Sequence, residues 1–242
     1  MSNREFKEEV SELAHQLVQI DRSVFFGIQD QAKWLPKHQL DNATVMCPPF
    51  VGKNYEKGGL LLLGINPGGG GERAKNINEG DQKLYPIIKD FKISKDEIYK
   101  KYWSLFVPTF REVKPTWDIY PQHIEPLLNA SGVTLDEICY LNVLQYRSRG
   151  DKYPDSISDM NLVIKPSFEN FVKPFIKLVA PSMVVCLGKQ VDKYIKSYWV
   201  TIPCKRLVWN RSRALKPEVI TDREDCIESL KLRNKSYKEV TK

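Results

Sequence analysis

At 242 residues, with 42% of them hydrophobic and 11% aromatic, the chain is long enough for one sizeable core and far from the composition of a disordered polymer. Its formal charge of +7 favours a polyanionic partner such as nucleic acid. No apolar run approaches the ~20 residues that span a bilayer, and the start from Met1 to Glu9 is charged, so the expectation is a cytoplasmic monomer that meets no membrane.

Phe6, Val10, Leu13, Leu17 and Ile20 recur at spacings of three and four, which predicts a docking helix over about 3 to 20. Residues 21 to 58 carry Pro36, Pro48, Pro49, Gly52 and the Gly58-Gly59 pair, and read as loops with one short helix. The apolar run Leu60 to Ile65 predicts a strand buried on both faces, ending at Asn66-Pro67 and the glycines Gly68 to Gly71. Ile138 to Leu144 is a second such strand, breaking into a basic loop. Phe168, Phe171, Val172, Phe175, Ile176 and Val179 form a helical stripe that Pro181 stops, just before a third strand from Met183 to Gly188. A fourth, from Arg206 to Trp209, ends at Asn210, and residues from about 222 to 232 read as a last helix before a charged, frayed tail. Strands alternating with helices predict an α/β fold: three α/β/α layers around a mostly parallel four-stranded sheet, with ligands gathering at the carboxyl ends of its strands.

The five cysteines, Cys47, Cys139, Cys186, Cys204 and Cys226, include no CxxC pair and no histidine at ligand spacing. Neither a disulfide framework nor a metal or other cofactor is expected, and Cys139 and Cys186 read as small buried hydrophobes. The three histidines, His15, His38 and His123, lie away from the strand ends and receive no catalytic role.

The most informative segment is Gly64-Ile65-Asn66-Pro67-Gly68, which sets an amide on a turn at the mouth of the sheet among glycines that let backbone approach a ligand. It has neither the Gly-Lys-Ser/Thr ending nor the GxGxxG spacing of a phosphate loop. Asn142, at the end of the second strand, has a donor and an acceptor for the edge of a base. Tyr85, ahead of Pro86, is a candidate stacking ring. Arg147, Arg149 and Lys152 follow one strand while Arg211, Arg213 and Lys216 follow another, so the fold brings two basic loops to one rim suited to DNA phosphates.

With these segments in this order, residues 45 to 215 resemble the uracil-DNA glycosylase superfamily. The Gly64-Ile65-Asn66-Pro67-Gly68 turn is similar to its mismatch-specific branch, and Leu141 to Arg149 looks like its central strand and basic loop. Asn210-Arg211-Ser212-Arg213 stands where the final His-Pro-Ser or Asn-Pro-Ser motif falls. The resemblance implies a single domain, with 1–44 an N-terminal helical extension and 216–242 a C-terminal helix and tail. It implies a DNA glycosylase that flips a uracil-like or C5-modified pyrimidine out of DNA and hydrolyses its N-glycosidic bond, in repair or in defence against phage with modified DNA. Asn66 would orient the water, with Glu72 or Asp81 as candidate helpers. Asn210 or Arg211 would act in place of the absent His, with Asn210 the catalytic candidate, Gly64, Ile65, Pro67, Gly68, Tyr85 and Asn142 would line the base pocket, and Arg147, Arg149, Lys152, Arg211, Ser212 and Arg213 would hold DNA. Gly68 takes the place of the tyrosine that crowds C5 in the uracil-specific branch, so that side of the pocket is expected to be open. Two other readings compete: a nucleic-acid-binding protein of the same fold without catalysis, and a nucleotide-handling enzyme that uses the glycine loop.

Overall fold

The computed structural model describes residues 2–20, 46–65, 79–146, 157–196, 198, 202, 204–212 and 216–240, with the side chains at 79, 81, 157–160 and 235–240 outside the description. Five strands form one mixed sheet in the order β1-β3-β2-β4-β5. β2 (Leu60–Gly64), β3 (Ile138–Asn142), β4 (Met183–Leu187) and β5 (Lys205–Trp209) are mutually parallel, and β1 (Phe50–Val51) joins the β3 edge antiparallel. The sheet therefore has five strands rather than four. The extra one is two residues long, too short for any hydrophobic period to reveal, and its pairing with Cys139 and Tyr140 exists only in the fold.

Every residue of β2, β3 and β4 is buried, as a parallel sheet covered on both faces requires. Leu60, Leu61, Leu62 and Leu63 are each 0% exposed, and full burial of a leucine contributes about 1.5–3 kcal/mol. β5 is the edge and is only partly covered until Trp209. Cys139 and Cys186 are wholly buried within their strands, in keeping with their apolar surroundings in sequence.

The helices follow from stripes and stops in the sequence. α1 (Asn3–Gln19) begins at a capping box, in which the Ser2 hydroxyl accepts from the Glu5 amide and the Glu5 carboxylate accepts from the Ser2 amide. Its buried face of Phe6, Val10, Ala14, Leu17 and Val18 joins the common core. α2 (Glu79–Ile93) follows, then α3 (Ile98–Lys100), a π segment (Lys101–Phe106) and α4 (Val107–Val113), which run on as one rod lined by Tyr102, Phe106 and Phe110. A single 3-10 turn (Lys114–Thr116) ends that rod at Pro115. α5 (Glu125–Ser131) closes on Gly132 in the left-handed region, φ 67°. α6 (Ile157–Ser167), another π segment (Phe168–Val172) and α7 (Lys173–Val179) make up the crossover, with all six residues of the apolar stripe buried and Pro181 just beyond the end. α8 (Lys189–Lys196) connects β4 to β5.

The C-terminal helix α9 (Pro217–Val240) is much longer than 222–232, and the expected frayed tail is helical instead. Polar anchoring supplies what the apolar pattern there lacks. Arg233 donates to Ser182 Oγ at 2.9 Å and to the Gly58 carbonyl at 2.6 Å, while Asn234 Nδ2 donates to the Ser131 carbonyl. No helix among the described residues is long and apolar enough to cross a membrane.

Candidate functional site

Parallel pairing places Gly64 opposite Asn142, so the last residues of β2 and β3 stand side by side at the carboxyl edge of the sheet. Pairing continues one step beyond the strands, with the Val143 and Leu144 amides donating to the Gly64 and Ile65 carbonyls at 2.9 and 2.8 Å. The contact explains the glycine. A Cβ on Gly64 would lie 2.4 Å from Asn142 Oδ1 and 2.8 Å from the Tyr140 hydroxyl. Gly64→Ala is expected to displace the Asn142 amide and to lower stability by about 1–3 kcal/mol, the usual cost of overpacking. Urea unfolding checks this, and an unchanged midpoint would contradict it.

Asn142 is 5% exposed and held in one orientation. The Tyr140 hydroxyl donates to its Oδ1 at 3.1 Å, and Gln145 Nε2 donates to its backbone carbonyl. With the carbonyl oxygen occupied, the side chain presents its NH2 group, which has no partner among the described residues. The loop after β3 is fixed by further bonds: Ser167 Oγ to the Val143 carbonyl, the Cys47 amide to the Gln145 carbonyl at 3.3 Å, and Tyr146 Oη to the Ile20 carbonyl at 3.2 Å.

Reasoning from sequence missed Lys114. It is 0% exposed, and its Nζ has no hydrogen-bond partner among the described residues. Aromatic rings surround it instead: Nζ stands 3.5 Å from the centroid of Tyr140, 4.7 Å from Trp117 and 5.5 Å from Phe110. Burial pushes its ammonium down from the ordinary 10.5 to about 7, with Cys47 opposing the shift and Arg211 adding to it. The same ring carries the hydroxyl that holds Asn142, so Lys114, Tyr140, Asn142 and Gly64 form one connected cluster. A signal was present in the sequence: position 114 continues the apolar stripe of Phe106 and Phe110 at a spacing of four, where a lysine is out of place.

Both ends of the Asn210 amide are engaged, its Nδ2 donating to Asp222 Oδ2 at 2.7 Å and its Oδ1 accepting from the Ser212 amide at 3.1 Å. Arg223 donates to the Asn210 and Ser212 carbonyls at 2.8 and 3.0 Å. Asn210 and Ser212 thus tie the segment after β5 to α9. Those bonds also hold the Asp222 carboxyl below its ordinary range, with Lys189 contributing at 3.0 Å. Arg211, between them, is exposed and has no ion-pair partner among the described residues. Its side chain passes Gly188, where the backbone turns through φ 117° after β4 and an added Cβ would meet Arg211 Cδ at 3.5 Å. From there its charge reaches Lys114 and Tyr140.

Gly64, Ile65 and Asn142 are therefore brought together, while Arg211 lies beside Gly188. Tyr85 is 4% exposed and packs in the common core. Asn66, Pro67, Gly68, Glu72, Arg147, Arg149, Lys152 and Arg213 lie outside the described residues, as does the side chain of Asp81. Among the described residues, no group of His, Cys, Asp and Glu is arranged to hold a metal ion. The chain matches no protein-family model and no curated protein.

Proposed function

We propose that this protein is a DNA glycosylase with the three-layer α/β/α fold of the uracil-DNA glycosylase type, acting as a cytoplasmic monomer on a flipped uracil-like or C5-modified pyrimidine. The observation that supports this best is the fixed amide of Asn142. Its oxygen is held by Tyr140, its NH2 is left to donate, and it stands beside Gly64, two residues before Asn66 in sequence. A donor held in a buried setting reads the oxygen of a base that has left the stack, and gains strength as charge grows there. Asn66 orients the water that attacks C1′, and the open C5 side at Gly68 admits substituted pyrimidines. Exposed Arg211 and the basic loop from Arg147 to Lys152 grip phosphates.

The engaged amide of Asn210 favours one competing reading, a binding protein that has lost catalysis. One experiment separates the two: incubation with duplexes carrying uracil, mismatched thymine, or hydroxymethylated or glycosylated cytosine, followed by alkali to reveal abasic sites. Strand breaks at uracil or a C5-substituted base support the glycosylase. Binding of every duplex without a single break supports the inactive reading.

A further inference from the structure

Lys114 has no part in the scheme above, although it is buried without a hydrogen-bond partner among the described residues, and such a lysine is among the most expensive groups a protein can carry. Its neighbours do not explain it as an ion pair. Among the described residues, the charged and titratable groups that reach it are Cys47 from the segment before β1, Tyr140 from β3 and Arg211 from the segment after β5, and none of these is a carboxylate. The field of exposed Arg211 thus adds to the positive charge of Lys114 in its aromatic-walled corner, and the Asn142 NH2 group, without a partner among the described residues, stands beside the same Tyr140 ring. Negative charge from a ligand would complete that arrangement.

We propose that Lys114 is the cation that stabilises the departing base, an assignment that rests on the glycosylase reading and extends it to a residue no motif marks. When the C1′–N bond breaks, its electron pair goes to the pyrimidine, which leaves as an anion with charge on its ring oxygens. The Lys114 ammonium and the Asn142 NH2 meet that charge. Water then bonds to C1′, and the proton it loses passes to the departed base, so the sum is hydrolysis with Lys114 regenerated. The ammonium is desolvated when the chain folds, before substrate arrives, which makes it strong toward an anion formed next to it. The tyrosine ring beneath it tolerates a cation by its quadrupole and supplies no competing negative group.

Leaving-group chemistry gives a test that a purely structural lysine would not pass. Fluorine at C5 withdraws electrons and makes the departing pyrimidine a more stable anion, less in need of help. Single-turnover excision is measured with duplexes carrying uracil or 5-fluorouracil at one position, using the wild type, Lys114→Met and Lys114→Gln, the second variant guarding against a folding failure of the first. DNA affinity is measured alongside. The expected result is a loss of about 100-fold on uracil, comparable to removing one donor from an oxyanion site, and only about tenfold on 5-fluorouracil, with DNA affinity unchanged. Equal losses on both bases in folded variants would overturn the role of Lys114 while leaving the glycosylase standing. A wild type that excises neither base would overturn this inference, which assigns Lys114 to a departing uracil-type anion, while the glycosylase reading would then stand or fall on the modified-cytosine duplexes.

Discussion

Lys114→Met is expected to make the protein more stable, and most of all in mild acid. The wild-type ammonium titrates near 10.5 in the unfolded chain and near 7 when folded, because burial disfavours its charge. Between these values the unfolded state binds more protons, so wild-type stability rises with pH across that window and is lowest below pH 7. At about 1.4 kcal/mol per pKa unit, the penalty carried below pH 7 is on the order of 5 kcal/mol. Methionine fills nearly the same volume without a charge, and it forfeits a cation–π attraction of about 0.5–2 kcal/mol. Urea unfolding of both proteins at pH 6, 8 and 9.5 should therefore show the variant well ahead at pH 6, with the gap closing as pH rises. A gap independent of pH would mean that the amine is not desolvated in the folded state. Gain of stability together with loss of excision is the pattern of a group kept for function at the expense of the fold.

Asn142→Asp is the second change with a large expected effect. The carboxylate still accepts from the Tyr140 hydroxyl, so no buried donor is orphaned and the protein folds. What disappears is the NH2 group, replaced by a negative oxygen facing the charge of the leaving base. Loss of a single preorganised donor costs about 10²–10³-fold in rate, and the added repulsion pushes the effect to the upper end of that range. Single-turnover excision measures it, with near-native thermal unfolding as the control. A variant that cuts DNA within tenfold of the wild-type rate would remove Asn142 from the chemistry. Asn142→Ala makes the comparison sharper, since it deletes the acceptor as well and leaves the Tyr140 hydroxyl unpaired at a cost of about 1–3 kcal/mol.

The sequence by itself determined the four parallel strands and the edge at which chemistry was to be sought. Four apolar runs, three of them ending at an asparagine, correspond to four parallel strands nearly to the residue, and the apolar spacing from Phe6 and the stripe from Phe168 to Val179 correspond to two helical segments, because each signal lies within a few consecutive residues. The pairing of Gly64 with Asn142 could be anticipated for the same reason: both close buried strands, and parallel strands bring their carboxyl ends to one side.

Tertiary structure alone decided the rest. β1 is two residues paired to a strand nearly ninety residues later in the chain, and α9 extends beyond its apolar pattern because Arg233 and Asn234 find carbonyl partners on distant segments. The commitment of Asn210 to Asp222 depends on where α9 lies, and nothing local to Asn210 encodes it. The environment of Lys114 was the furthest from view. Phe110 and Trp117 are its neighbours in sequence, but Tyr140 arrives with β3 and Arg211 with the segment after β5. A lysine becomes a buried, uncompensated cation only when elements far apart in the chain close around it, since burial depends on the whole fold and charge acts through space rather than along the backbone.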